Sequence, residues 1–313
     1  MNTRIGEPGY EYREDVESGS NAAKRGGFTG LVYMPSTNPP VQNVSDINFI
    51  KKVFEKKIID VFPVGSITKN MEGKEITEMH DMKKAGAITF SDDLNSIENP
   101  MIMSIALEYT KDFKTPIIVV PFEQKLCENG LLNEGKTSTT LGLKGIPDVA
   151  EAIRTNRDIE LTDYNKGKLH FSTVSTKKSL ELIKKAKEKN INISNDIAAY
   201  QLILNDEMLS NFDTNLKVFP PIRSKKMQKE FIKNIKNGNI DAISSNHTPI
   251  ESEKKKCSFV NAKFGMIGLE VAFGIVNTVL KKEIELEKII ELLSINPRKI
   301  LNIECPEIEE KNK

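Results

Sequence analysis

The sequence is poor in the side chains that build covalent frameworks and metal centres. It has no tryptophan, three cysteines and three histidines in 313 residues. Cys127, Cys257 and Cys305 are far apart and odd in number, which argues against a disulfide framework and against a paired-cysteine zinc site. A reducing cytoplasm is the simplest setting for such a chain.

Long apolar runs and a charge imbalance are also missing. No stretch approaches the roughly 18 uninterrupted apolar residues of a membrane span, and the charged first twenty residues do not resemble a secretory signal. The 45 basic and 44 acidic side chains nearly cancel, so no overall field attracts nucleic acid or an anionic membrane. We therefore expect neither as a partner.

What the sequence does contain is a regular alternation of strands and helices. Strands that alternate with helices imply a parallel sheet with right-handed crossovers. At this length a (β/α)8 TIM-type barrel is the leading prediction, with a doubly wound open sheet as the alternative. The predicted strands are 28–34, 59–67, 87–90, 116–121, 168–174, 191–193 and 240–243.

The domain prediction is a single barrel over residues 1–313, because no linker-like change of composition divides the chain. The predicted strands are one too few for a barrel, so the first is expected to precede residue 1. Residues 122–147 are predicted to be a long loop. Helices are predicted over 14–25, 75–84, 100–113, 148–161, 268–281 and 286–293, with another capped by Ser45.

The polar residues after the last predicted strand are the natural place to look for chemistry. In a barrel, the loops at the carboxyl ends of the strands carry the functional groups. Asn246 and His247 lie in this loop. An aspartate at residue 246 could bind a metal or accept a proton, whereas an amide does neither at neutral pH.

Many local strings, in order along the chain, resemble those of bacterial-type dihydroorotase in the amidohydrolase superfamily. The resemblance runs nearly end to end, but it begins late and stops early. Such enzymes are barrels flanked by a small β-rich domain; on this comparison neither flank is present and the first barrel strand is cut away. The strings include Glu7-Pro8-Gly9, Met34-Pro35-Ser36-Thr37-Asn38-Pro39, Phe90-Ser91-Asp92-Asp93, Asn133-Glu134-Gly135, Val174-Ser175-Thr176, Pro220-Pro221-Ile222-Arg223 and Phe264-Gly265.

The resemblance implies a reaction and a cofactor. The family reversibly hydrolyses dihydroorotate to N-carbamoyl-L-aspartate in pyrimidine biosynthesis. Zinc polarises the ring carbonyl and activates a water, while an aspartate carries the proton. Neutral imidazoles and carboxylates hold the metal and leave one position open.

Carried over position by position, most of these groups are substituted. Of the metal ligands, Asp93 alone is intact, and the catalytic aspartate falls on Asn246. Phe264 and Gly265, which serve through their backbone, remain. The imidazole positions fall on Asn2, Arg4, Val120 and Thr173, and the substrate-contact positions on Gly6, Ser36, Phe219 and Ile250. Zinc, expected for the family, is therefore predicted not to be bound.

The three histidines do not replace the lost ligands. His80 is predicted to lie on a helix surface, His170 to be packed within a strand, and His247 to be the best remaining polar group at the barrel mouth. Asp92 is predicted to cap a loop rather than to bind a metal.

Two hypotheses follow. In the first, the protein is a dihydroorotase-like enzyme of reduced activity that acts on dihydroorotate or N-carbamoyl-aspartate. In the second, it is a noncatalytic homologue: a structural partner of aspartate carbamoyltransferase, a homo-oligomer, or a decayed copy. The persistence of the family strings beside the loss of the ligand set favours impaired catalysis.

Overall fold

Short apolar runs form the parallel strands of a barrel in the computed structural model, which describes residues 1–305. The wall strands are short because only a few residues of each run lie between the polar loops at either end. The nine strands within the described residues are β1 (Gly30–Tyr33), β2 (Asp60–Gly65), β3 (Thr89–Phe90), β4 (Ile117–Val119), β5 (Leu132–Asn133), β6 (Gly145–Ile146), β7 (Leu169–Phe171), β8 (Ile193–Ala198) and β9 (Ala242–Ser244).

Seven of these strands follow one another around the barrel. β1, β2 and β3 form one parallel sheet, and β4, β7, β8 and β9 form another. The two sheets meet where the Thr89 hydroxyl donates to the carbonyl of Pro116. The remaining pair, β5 and β6, lies outside the wall in the segment predicted to be a long loop.

A single residue stands where a first strand would close the ring. Thr3 forms parallel bridges to Tyr33 on one side and to His247 on the other. Its N–H donates to the Val32 carbonyl at 3.2 Å, and the Arg4 N–H donates to the His247 carbonyl at 3.0 Å. The expected absence of a first strand therefore corresponds to a one-residue bridge, and an apolar cavity of about 430 Å³ remains beneath it, beside Met1.

The helices pack around the outside of this wall. Their apolar faces cover the strands, and the buried core lies between the two layers. Within the described residues no helix combines the length and the hydropathy needed to cross a membrane. The helices are α1 (Val16–Arg25), α2 (Val44–Phe54), α3 (Met79–Ala85), α4 (Pro100–Tyr109), α5 (Gln124–Cys127), α6 (Lys136–Leu141), α7 (Asp148–Asn165), α8 (Lys177–Glu188), α9 (Lys225–Lys236), α10 (Ser252–Lys255), α11 (Ala272–Leu280), α12 (Leu286–Ile290) and α13 (Asn296–Ile300).

The predicted elements differ from the observed ones mainly at their ends. Ser45 does not cap α2; Asn43 does, in a reciprocal capping box with Asp46. Strand β8 runs several residues beyond the predicted 191–193, because its polar Ser194, Asn195 and Asp196 disguise it. Helix α9 was not predicted, although its strongly amphipathic sequence could have indicated it.

Candidate functional site

The positions of the family's metal ligands and of its catalytic aspartate meet at the carboxyl ends of the strands. Four of them share an unusual backbone: Asn2, Asp93, Thr173 and Asn246 have φ angles of 62°, 51°, 55° and 45°. Asparagine and aspartate tolerate this left-handed region, whereas threonine is strained there because its Cβ is branched. Sparsely populated backbone conformations that cluster in this way are typical of functional sites, so the backbone keeps the outline of one.

The guanidinium of Arg4 lies at the centre of this cluster. It binds Asp93 through two parallel hydrogen bonds, from Nε to Oδ2 at 2.7 Å and from Nη2 to Oδ1 at 2.6 Å. The two side chains are only 9% and 2% exposed. This bidentate geometry is the strongest form of arginine–carboxylate pairing, and the two charges cancel within the buried site.

The third nitrogen of Arg4 reaches across the mouth. Nη1 donates to Asn246 Oδ1 at 2.8 Å and to Thr248 Oγ1 at 2.7 Å. Ser36 completes the shell by donating its hydroxyl to Asp93 Oδ2 at 2.6 Å. Arg4 therefore connects the amino-terminal segment to the loops that follow β3 and β9.

Asn246 uses both ends of its amide. While its oxygen accepts from Arg4, its nitrogen donates to Tyr200 Oη at 3.2 Å and to the Phe219 carbonyl at 3.1 Å. An aspartate would lack these donors and would face a carbonyl oxygen. Burial raises the pKa of Tyr200, so its hydroxyl stays protonated and donates to the Pro220 carbonyl at 2.9 Å. The neighbouring groups therefore match both the acceptor and the donors of an amide at residue 246.

An apolar cluster fills the next part of the site. Val120 is 2% exposed and packs in one cluster with Phe122 and Phe219. The ring centroids of Phe122 and Phe219 are 4.5 Å apart. The Phe219 ring also contacts that of Phe264 at 5.9 Å. Val120 and Asp93 also line one small cavity, so a hydrocarbon side chain occupies the position where the family places an imidazole.

The remaining imidazole positions are bound into a polar network inside the barrel. Asn2 Nδ2 donates to Ser172 Oγ at 3.0 Å, and the Thr173 N–H donates to Asp196 Oδ1 at 2.9 Å. Burial opposes ionisation of Asp196, but the hydrogen bond and charge of His170, together with the hydrogen bonds from Ser244 and the Thr173 N–H, outweigh it and lower the pKa of that carboxyl. His170 is fully buried at 2.9 Å from Asp196, as a packed core histidine should be.

His247 and Asp92 have structural partners. His247 Nδ1 accepts from the N–H of Gly268 at 3.0 Å, so Nε2 carries the proton and donates to Glu14 at 2.8 Å. Neither ring nitrogen is left for a ligand. Asp92 Oδ1 accepts the backbone N–H groups of Ile67 and Thr68, which confirms loop capping, and burial raises the pKa of its carboxyl to about 6. His80 is exposed on α3, as predicted.

The substrate-contact positions also surround the mouth. At Gly6 a Cβ would lie 2.1 Å from the Tyr10 carbonyl oxygen, so the family's arginine does not fit on this backbone. Gly265, with φ of +153°, has room for no side chain because a Cβ would lie 2.5 Å from Ile250 Cγ1. Ile250 and Phe264 line one wall of the mouth.

These residues do not fit a zinc pair. Within residues 1–305, no group of three or more histidine, cysteine, aspartate or glutamate side chains is placed to hold a metal ion. Zinc prefers imidazole, thiolate and carboxylate donors, and here amide, hydroxyl and hydrocarbon groups surround one carboxylate. That carboxylate is already paired with a cation that cannot deprotonate in proteins.

Above the Arg4–Asp93 pair, a pocket of about 410 Å³ opens to solvent. Tyr10, Arg13 and Lys263 lie at its rim, and none of them was predicted as a site residue. Arg13 stacks over the Tyr10 ring at 4.2 Å and faces Glu251 at 3.0 Å. The sequence did not predict this rim because the two loops that form it are about 250 residues apart along the chain.

Comparison with known proteins identifies the family. A family model described as Dihydro-orotase-like matches residues 1–179. The dihydroorotase of Caldicellulosiruptor saccharolyticus is 42% identical over 306 residues, which are 97% of this chain and 71% of that protein. The chain belongs to the dihydroorotase family. A second dihydroorotase, from Carboxydothermus hydrogenoformans, is 40% identical over 305 residues with the same coverage.

Solved structures share the fold of this chain. L-Hydantoinase (dihydropyrimidinase) from Arthrobacter aurescens superposes with a TM-score of 0.83 at 21% identity, covering 96% of this chain and 70% of that one. Dihydropyrimidinase from Brevibacillus agri superposes with a TM-score of 0.77 at 19% identity, covering 96% and 69%. The predicted amidohydrolase-type barrel is confirmed, and the doubly wound sheet is excluded by the ring of strands.

Proposed function

We propose that the protein is a dihydroorotase-like protein of pyrimidine biosynthesis whose centre does not carry out zinc-dependent hydrolysis. One observation carries this proposal: the buried guanidinium of Arg4 binds the carboxylate of Asp93, the one intact ligand position. The cation that the family obtains from zinc is supplied here by the chain itself.

The proton-transfer role is lost for a related reason. Hydrolysis of the ring needs a base to receive a proton and then return it. Asn246 occupies that position, and its amide nitrogen already donates to Tyr200 and to the Phe219 carbonyl. Loss of one such group commonly costs an enzyme orders of magnitude in rate. We expect the combined losses to leave no measurable turnover.

The binding part of the function is better supported than the chemistry. Phe264, one of the family's two backbone contacts, still lines the pocket above the Arg4–Asp93 pair, together with the substituted Ser36 and Ile250; Gly265, the other contact, follows it directly in the chain. We therefore propose that the protein binds a small molecule related to dihydroorotate or N-carbamoyl-aspartate. The chain is proposed to form one domain. A cytoplasmic location belongs to the same proposal and is supported by three free cysteines.

The decisive experiment loads the purified protein with zinc and measures both bound metal and hydrolysis of dihydroorotate. We expect less than one tightly bound zinc ion per chain and a rate equal to that of buffer. The matched variant restores the donors with Asn2→His, Arg4→His, Val120→His, Thr173→His and Asn246→Asp, and it should bind more zinc. Two tightly held zinc ions with turnover in the unmodified protein would refute the proposal. Asp93→Asn tests whether any residual rate comes from this site.

A structural role beside aspartate carbamoyltransferase is the second candidate, together with self-association. An exposed apolar stripe on α4 favours it: Met101, Ile105 and Tyr109 are 64%, 41% and 42% exposed and recur at a spacing that places them on one helix face. Size-exclusion chromatography with and without the carbamoyltransferase tests this role. A monomer that does not co-elute would leave a decayed copy as the remaining alternative.

A further inference from the structure

The mouth pocket has the size and the walls of a small-molecule site. Its volume of about 410 Å³ falls within the range of ligand pockets, which are mostly apolar with a few polar anchors. The floor is the Arg4–Asp93 pair. The apolar walls are Ile5, Met71, Leu94, Pro249, Ile250 and Phe264.

The charges around this pocket sum to one positive unit. Arg4 and Asp93 neutralise each other at the floor. At the rim, Arg13 is balanced by Glu251, which lies at 3.0 Å from its Nε. Lys263 lines the pocket from an exposed position, and its ammonium enters no ion pair within the described part of the chain. A ligand with one negative charge would therefore leave the pocket neutral.

Arg13 and Lys263 are the two cations that line the rim of this pocket. Stacking on Tyr10 at 4.2 Å fixes the plane of the Arg13 guanidinium. Its Nε faces Glu251 and its Nη2 donates to Tyr12 Oη at 3.4 Å, so Nη1 is the terminal nitrogen that makes no hydrogen bond within the described residues. Lys263 enters from the loop that leads to Phe264 and Gly265, on the wall of the same pocket. A guanidinium and an ammonium together form charge-assisted hydrogen bonds to a carboxylate.

We propose that this pocket binds a small ring-shaped monoanion, with its carboxylate on Arg13 and Lys263 and its ring between the apolar walls, and that it disfavours open-chain dianions. A second carboxylate would have to lie against hydrocarbon or near Asp93 and Glu251, and burying an unpaired charge is costly. The inference rests on the proposed function for the choice of ligand. It assigns the anchoring to residues other than the substituted Gly6, Ser36 and Ile250.

The test compares three probes by isothermal titration calorimetry on the unmodified full chain. Dihydroorotate carries the ring and one carboxylate, dihydrouracil carries the same ring without it, and N-carbamoyl-L-aspartate is the open-chain dianion. We expect dihydroorotate to bind at least about 10-fold more tightly than either, because a hydrogen-bonded charge pair contributes on that scale. Equal affinity for dihydrouracil, or no heat with dihydroorotate, would overturn the proposal.

Variants then locate the carboxylate. Lys263→Met and Arg13→Met should each weaken dihydroorotate about 10-fold while leaving the affinity for dihydrouracil unchanged. Lys254→Met, on an exposed lysine outside the pocket, is the matched control and should change neither. Unaltered dihydroorotate binding in both rim variants would also overturn the proposal.

The outcome is separable from that of the proposed function. If the zinc-loaded protein hydrolyses dihydroorotate, the proposed loss of catalysis fails. The rim anchor is then still tested, because Lys263→Met should raise KM about 10-fold with kcat retained. If there is no turnover and the rim variants bind normally, the anchor fails while the loss of catalysis stands.

Discussion

Removal of the Arg4 guanidinium is expected to destabilise the fold far more than removal of an exposed arginine. In the variant Arg4→Met the Asp93 carboxylate, 2% exposed in the native site, loses both hydrogen bonds from its partner and keeps that of Ser36. Breaking a buried pair from one side costs about 3–5 kcal/mol, since a charge stays buried without compensation. Asn246 and Thr248 each lose a donor as well.

The double variant Arg4→Met with Asp93→Asn separates the ion pair from its surroundings. Asparagine keeps the left-handed backbone at residue 93 accessible, and no charge remains buried. We expect the double variant to be more stable than Arg4→Met alone, with a coupling free energy of about 2 kcal/mol or more. The assay is urea unfolding followed by circular dichroism, analysed as a double-mutant cycle.

The control is Arg25→Met. Arg25 pairs with Glu270 at 3.2 Å, but the two side chains are 77% and 40% exposed. Such a surface pair is worth about 0–1 kcal/mol, so this variant should unfold close to the native protein. If Arg4→Met were no more destabilising than Arg25→Met, the guanidinium would not be the internal cation of the site, and the reasoning about zinc would lose its main support.

Three further predictions concern the same site and the loops beside it. Thr173→Gly should raise the free energy of unfolding by up to about 1 kcal/mol in urea titrations, because glycine relieves the strain of a φ of 55°; a lower midpoint would show that the backbone is not strained there. Burial and then the neighbouring Lys217 lower the pKa of Lys255 from 10.5 to about 8. Because the unfolded chain then binds more protons between those values, stability should rise with pH across that window, and Lys255→Met should flatten the rise seen in urea midpoints at pH 7.5 and 9.5. Burial raises the pKa of the Cys127 thiol to about 11, so at pH 8 iodoacetamide should alkylate the exposed Cys257 well before Cys127, as peptide mass spectrometry would show; equal rates would contradict this.

Local patterns in the sequence were enough for the barrel and for the list of substituted positions. Apolar runs such as Ile240–Ile243 predict strands because burial on both faces selects hydrocarbon side chains. The ordered family strings then placed Asp93 and Asn246 in a common site, and the structure brings them to the same guanidinium. The strand β8 was shortened in the prediction because it contains three consecutive polar residues. Ser194 and Asp196 bond His170 inside the barrel, whereas Asn195 points outward and accepts from Lys187 on α8.

Only the tertiary structure decided what replaced the metal. The sequence showed that Arg4 occupies a ligand position and that Asp93 is intact. Their opposite charges could have indicated an ion pair. The bidentate contact of Arg4 depends on Thr3, which bridges Tyr33 of β1 and His247 in the loop after β9, since that bridge places the guanidinium at the centre of the mouth. The same holds for the rim of Arg13 and Lys263. The sequence gives the chemical type of each side chain. Contacts between residues that are remote in sequence form only when the strands close into a ring.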